Sequence, residues 1–125
     1  ARVAGSQQIG ILSGQGTNKA VLQLLDNQTT LKVGDVILAR GSQNNRPFVP
    51  GVPIGAVTSV DNAAGAITQM ADVKLYPNFS TLSVVAVVVG PPKTDPRDVL
   101  VPKGPAPTPV PTVTIYATPS ESPTP

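Results

Sequence analysis

The sequence predicts an all-β fold, a small six-stranded barrel or sandwich followed by a disordered proline-rich tail. Short runs of aliphatic and β-branched residues recur, separated by glycine or by Asn and Asp turns, and no convincing 3.6-residue apolar repeat occurs before Pro77. Eleven of the fifteen prolines lie within residues 91–125. Because proline has no amide donor and this segment is poor in core-forming residues, it should be disordered or polyproline-extended. We therefore expect a β-barrel domain over residues 1–89 and a tail over residues 90–125.

Six segments carry the strand pattern. The predicted strands span residues 8–13, 20–25, 36–40, 54–60, 66–76 and 83–89. In the fifth, Ile67, Ala71 and Val73 share one face while Asp72 and Lys74 point the other way, so the second face should be solvated. The sixth, residues 83–89, is called the valine run; it is apolar at both parities, which is typical of a strand covered on both sides. It is predicted to form the centre of the core.

The connections between these strands carry specific turn chemistry. Gly34 can adopt a positive φ that most residues resist, and Asp35 can accept hydrogen bonds from backbone amides as the chain enters the third strand. Residues 61–65 predict a hairpin loop between the fourth and fifth strands. Residues 41–53, which include three prolines, predict a long exposed loop between the third and fourth strands.

The composition argues against an active site. With no histidine and no cysteine, the commonest general base, the cysteine nucleophile and nearly all zinc sites are missing. Each aspartate of residues 1–89 has a plain turn or strand-surface role, and the lysines there fall where solvent is expected. We therefore predict no catalytic, cofactor-binding or metal site. An enzyme with an unusual Asp or Ser/Lys site is the third hypothesis.

Charge and hydropathy argue against two further classes. The formal charge of +2 comes from basic residues that are scattered rather than clustered, so no nucleic-acid binding is expected. No apolar run approaches the roughly 18 residues that spanning a bilayer requires. The chain opens on Ala1 instead of Met, which predicts a piece whose targeting element lies outside the numbered sequence.

The long loop is the candidate partner-binding site. A long loop that bears arginine and an aromatic residue matches the composition of interface hot spots. The candidate contact residues are Arg40, Gln43, Asn44, Asn45, Arg46 and Phe48. An ordinary solvated loop is the alternative, because many long loops only connect strands.

Five sequence blocks, taken together, resemble a known family. The blocks are residues 10–16, residues 22–25, the Leu-Lys-Val-Gly-Asp-Val-Ile-Leu-Ala-Arg-Gly of residues 31–41, residues 47–57 with the run Pro-Gly-Val-Pro-Ile-Gly-Ala-Val, and residues 73–89. In order and spacing they look like the extracytoplasmic β region of the MreC family of rod shape-determining proteins, in an actinobacterial-like form. Two departures, Ala39-Arg40-Gly41 in place of the common Thr-Ser-Gly and a longer loop over residues 42–50, affect local loop contacts and leave the barrel intact.

The resemblance implies a non-enzymatic scaffold of the bacterial cell-elongation machinery, which organises lateral peptidoglycan synthesis and so controls cell shape. It implies a penicillin-binding transpeptidase, MreB, MreD and RodA as partners, together with self-association, and it implies no cofactor. It also implies an extracytoplasmic location on the cell-wall side of the cytoplasmic membrane, with anchoring through an N-terminal helix that this chain does not include.

A peptidoglycan- or carbohydrate-binding wall module is the alternative function. Sugar sites stack rings on exposed aromatic side chains, and the chain offers only Phe48, Tyr76, Phe79 and Tyr116. In the tail, residues 105–111 favour an extended polyproline spacer. Residues 113–116 are the one stretch of the tail able to form a strand.

Overall fold

The structure, a computed structural model, is an antiparallel β fold. It describes residues 1–26, 30–63 and 65–105. The strands are β1 (Arg2–Val3), β2 (Gly10–Gly14), β3 (Lys19–Leu24), β4 (Val36–Leu38), β5 (Pro53–Asp61) and β6 (Met70–Leu75), with one 3-10 turn at Gln43–Asn45. The described residues contain no α-helix. The predicted all-β, six-stranded class is therefore confirmed.

The six strands form one sheet that curls until its two edges meet. The strand order is β1-β4-β5-β6-β3-β2, and every neighbouring pair is antiparallel. The edges β1 and β2 are joined by a reciprocal pair of backbone bonds, with Ala1 N donating to Gly10 O at 2.9 Å and Gly10 N donating to Ala1 O at 3.0 Å. A further bridge pairs Arg2 with Ile9. We call this junction the seam, and it turns the sheet into a small barrel.

The core fills the inside of this barrel with small and medium aliphatic side chains. Along β3 and β6 the buried residues alternate with exposed or half-buried ones, as the period of two in a strand requires. The core cluster consists of Val3, Ala20, Leu22, Leu24, Leu31, Ile37, Val57, Ala71 and Val73. Ala71 and Val73 thus face inward while Asp72 and Lys74 are exposed, which confirms that part of the predicted pattern in the fifth strand.

A β-bulge in β5 explains why its inward residues do not keep a single parity. Val57 pairs with Val73 and Ser59 pairs with Asp72, so Thr58 is the extra residue. The Thr58 hydroxyl donates to Asp72 O at 3.2 Å, and the Ser59 hydroxyl donates to Asp72 Oδ2 at 2.7 Å. The bulge is therefore held by side chains on the outer face of the barrel, and it lets Val60 follow Val57 toward the core.

Two buried glycines allow the strands to approach closely. A Cβ added to Gly10 would lie 2.6 Å from Gln23 O on the neighbouring strand. A Cβ added to Gly55 would overlap Lys74 O in the same way. Neither position has room for a methyl group, because backbone rather than a flexible side chain occupies the space.

The turn between residues 31 and 36 has the predicted chemistry. Gly34 has a φ of 97°, in the left-handed region, and its amide donates to Val57 O at 2.8 Å. Asp35 Oδ2 accepts from the Lys32 amide at 2.9 Å, which fixes the entry into β4. The consecutive strands β5 and β6 are joined by a hairpin connection, also as predicted.

The predicted strand over the valine run is wrong. Residues 83–89 form no strand and are exposed, with Val84 86% and Val89 93% accessible, so they are not the centre of the core. β3, β4, β5 and β6 each have two neighbouring strands, and the two outer strands meet over the short seam. The valine run pairs with none of the six strands, although its residue types favour a strand.

Other boundaries also differ from the prediction. The fifth predicted strand begins at Met70, and Ile67 is 87% exposed in the preceding loop. The first predicted strand begins at Gly10 instead of residue 8, and the two-residue β1 was missed because it is too short for periodicity to register. The predicted strand-forming stretch 113–116 and all but the first residue of the polyproline spacer 105–111 lie outside the described residues.

Substituting Gly55→Ala should destabilise the barrel by about 1–3 kcal/mol, because the new methyl group has to displace the β6 backbone. Urea unfolding followed by circular dichroism measures the change in free energy. Gly14→Ala is the matched control, since nothing lies within 4 Å of a Cβ at that strand position. Equal stabilities of the two variants would contradict the close approach at Gly55.

Candidate partner-binding loop

The connection between β4 and β5 is a protruding loop with a braced neck. Ala39 N donates to Val52 O at 2.8 Å and Gly51 N donates to Ala39 O at 2.8 Å, so backbone pairing continues beyond the ends of the two strands. Further out, Ser42 N donates to Phe48 O at 3.1 Å, and Phe48 N donates to the Ser42 hydroxyl at 3.2 Å. The loop is therefore closed at two levels and holds its tip in a defined position.

The tip of the loop depends on its asparagines. Asn45 N donates to Ser42 O at 2.8 Å, which closes the 3-10 turn. Asn44 and Asn45 have φ values of 59° and 54°, in the left-handed region that asparagine tolerates better than most residues. The Arg46–Pro47 peptide bond that follows is cis. The sequence shows only that the tip is polar. The positive φ values explain why asparagine is suited to these two positions.

The structure brings the six predicted contact residues to one end of the barrel. Arg40, Gln43, Asn44, Arg46 and Phe48 are exposed, and Asn45 is half-buried. Phe48 is 66% exposed although its backbone is tied to Ser42. Whether these residues contact a partner stays a prediction.

Arg40 lies at the base of the loop, beside the seam. Burial lowers the pKa of the Ala1 α-amino group, and the nearby positive charge of Arg40 lowers it further. Arg40 and Phe48 line one groove together, whereas Gln43, Asn44 and Asn45 form the 3-10 turn at the tip. A ligand that contacts all six has to extend from the tip of the loop to the seam.

Two open grooves flank the loop. One has a volume of about 440 Å³ and is lined by Asn45, Arg46, Pro47, Val49, Val88, Val89, Gly90 and Pro91. The other, of about 290 Å³, is lined by Ala1, Leu12, Ala39, Arg40, Gly41, Phe48 and Ile54. The loop thus presents an aromatic ring on one side and an arginine beside apolar residues on the other.

The valine run is the part of this surface that sequence reasoning missed. Val88 and Val89 face the loop across the first groove, with Val88 58% exposed. The run is apolar at both parities, which predicts burial, and it contains no local signal for the surface. Its exposure is visible only in the folded barrel, where it pairs with none of the six strands.

The described residues contain neither a cluster of metal ligands nor a membrane-spanning helix. Among residues 1–26, 30–63 and 65–105, no three acidic side chains gather where a metal ion would be held. The ion pair described in this part of the chain joins Arg2 to Asp98 and includes none of the six candidate contact residues. None of the described residues forms a helix of the length and apolarity that crossing a membrane takes. What the loop offers is an ordered, partly apolar surface.

Comparison with known families assigns this barrel to a class of cell-shape proteins. Residues 1–89 match the family model described as "Rod shape-determining protein MreC, barrel core". The chain therefore belongs to the MreC family, as the sequence blocks had indicated. No curated protein and no solved structure matches the chain.

Substituting Ser42→Ala should loosen the loop without unfolding the barrel, because the Phe48 amide loses its hydroxyl acceptor. We expect the Phe48 amide to exchange with solvent roughly tenfold faster, as the loss of one hydrogen bond predicts. Hydrogen exchange by NMR measures this rate. Ser83→Ala in the exposed valine run is the control and should leave Phe48 unchanged.

Proposed function

We propose that this barrel is a non-enzymatic scaffold module of the bacterial cell-elongation machinery, and that it binds a penicillin-binding transpeptidase through the loop over residues 40–48. The observation that carries the proposal is a braced loop with an exposed aromatic side chain, Phe48, on a barrel of the MreC family. Rod-shape determination belongs to the family. The proposal adds two points to this family role: the transpeptidase is the partner, and the loop is the surface that binds it.

Preorganisation makes this loop suited to binding. Phe48 is exposed while its backbone is fixed by Ser42, so little conformational entropy remains to be lost when a partner covers the ring. Arg46, two residues away, supplies a guanidinium that can pair with a carboxylate or stack on a ring. Aromatic and arginine side chains dominate the energetics of many protein interfaces.

The groove beside the valine run provides the apolar part of the surface. Val49, Val88 and Val89 line it together with Pro47. Burial of one aliphatic side chain against such a wall contributes about 1.5–3 kcal/mol. A partner that inserts an apolar side chain here while contacting Arg46 would obtain both affinity and orientation.

The same proposal places the barrel on the cell-wall side of the cytoplasmic membrane, anchored there in the full-length protein. The transpeptidase acts on peptidoglycan, so a scaffold that positions it has to share that side. MreB, MreD and RodA are the further partners, and self-association of the full-length protein belongs to the same proposal. Family membership supports this placement.

The double substitution Arg46→Ala and Phe48→Ala should weaken binding to the purified transpeptidase by roughly 30-fold or more, since two hot-spot side chains are removed. Biolayer interferometry with the immobilised transpeptidase measures the dissociation constant. The matched control is Lys32→Ala with Ile67→Ala, which removes one exposed cation and one exposed apolar side chain elsewhere on the barrel. If the double variant binds as tightly as the parent, the loop is not the interface.

Direct binding of peptidoglycan is the second candidate function, and the exposure of three aromatic side chains favours it. Tyr76 and Phe79 are about half exposed and Phe48 more so. In co-sedimentation with purified wall sacculi, the parent should then appear in the pellet and the Phe48→Ala variant should stay in the supernatant. If the parent also stays in the supernatant at every sacculus concentration, direct peptidoglycan binding is excluded, and the scaffold proposal is unaffected.

A further inference from the structure

The chain beyond the valine run returns to the barrel and is held there by one carboxylate. Arg2 Nη1 donates to Asp98 Oδ1 at 2.9 Å, and the Gly5 amide donates to Asp98 Oδ2 at 2.9 Å. Each oxygen of the carboxylate therefore has its own donor from the first five residues. These two donors, one cationic and one from the backbone, have the arrangement that carboxylate recognition requires.

Arg2, the cationic donor of this contact, is a buried charge. Arg2 lies in β1 at the seam and is only 7% exposed. Its Nε and Nη2 atoms are buried without a hydrogen-bond partner among the described residues. Because arginine stays protonated in proteins, a buried guanidinium needs a counter-anion. In the described part of the chain, Asp98 is the acidic group that supplies it.

We propose that Arg2 and the Gly5 amide form a carboxylate-binding site, and that its resident ligand is Asp98 on a strap formed by residues 95–101. The strap docks onto the seam and sets where the proline-rich tail leaves the barrel. Release of the strap leaves the Arg2 guanidinium without its counter-anion, and a free carboxylate takes the place of Asp98. This inference does not depend on the proposed function of the loop.

The strap is built to dock and to leave as a unit. Arg97 N donates to Asp95 Oδ1 at 2.8 Å, Val99 N to Pro96 O at 3.2 Å and Val101 N to Asp98 O at 3.1 Å. In the described chain, these bonds all run within the strap. The Asp98 carboxylate makes two hydrogen bonds that join the strap to the barrel. Neither bond belongs to a sheet ladder, so their loss would leave the strand pairing intact.

The strap also touches the neck of the candidate partner-binding loop. Gly51 has a φ of 80°, and a Cβ there would overlap the Pro96 ring. Gly51 N is the donor that braces the neck against Ala39 O. The docked strap therefore links the seam, through Arg2, to the base of the loop, through Gly51. With the strap docked, the chain leaves the barrel after residue 101.

The test is chemical rescue of Asp98→Ala in the full chain, followed by NMR of the Gly5 amide and the Arg2 Nε resonance. In this variant the Gly5 amide should exchange roughly tenfold faster than in the parent, since its acceptor is gone. Added acetate should then shift both resonances saturably, whereas sodium chloride at equal ionic strength should not. In the parent, acetate should have no such effect because Asp98 fills the site.

Asp95→Ala is the matched control, because Asp95 accepts a bond inside the strap and none from Arg2. It should leave Gly5 exchange unchanged. A parent-like Gly5 amide in Asp98→Ala, or an acetate response no larger than that of chloride, would overturn the proposal.

Native-state exchange of the unmodified protein in low urea tests the strap without relying on a variant that folds. Gly5 and Val101 should exchange at a common rate that is faster than that of Leu22 in the core and depends little on urea. If Gly5 and Val101 exchange only with Leu22, through global unfolding, the strap does not release separately and this part of the inference is wrong.

Discussion

The barrel depends on two edge strands that satisfy each other across a very short seam. A sheet with free edges presents rows of unpaired amides and carbonyls, and closure removes them. Here β1 contributes only two residues, and the hydrogen bonds between Ala1 and Gly10 join it to β2. Gly10 also lets β2 lie close to β3 at the seam, because any side chain at this position would overlap the Gln23 carbonyl.

Strand pairing also determines what remains on the surface. The valine run joins none of the six strands, and its apolar side chains stay outside, with Val88 and Val89 beside the loop. The loop in turn is rigid because the β4–β5 pairing continues into its neck. Hence an exposed apolar segment lies next to a braced protrusion.

Features governed by neighbouring residues were predictable from the sequence. Gly34 and Asp35 take the expected turn conformation because a positive φ and a side-chain acceptor are local requirements. The alternation of Ala71 and Val73 with Asp72 and Lys74 identified the inner face of β6. The candidate loop was located by its prolines and polar residues, and five of its six candidate contact residues are exposed. The distant pairing of Arg2 with Asp98 left no local trace.

The sequence by itself determined the all-β class, the principal turns, the position of the long loop and the family, because each of these depends on residue type within a short window. Only the tertiary structure decided that two residues at the start of the chain close the sheet, that the valine run lies outside it and that Asp98 reaches back to Arg2. The physical reason is that strand pairing and ion pairing join residues that lie far apart in the sequence. A residue's preference for a strand or an ion pair is intrinsic, but whether a partner is still available depends on how all the other strands have already paired.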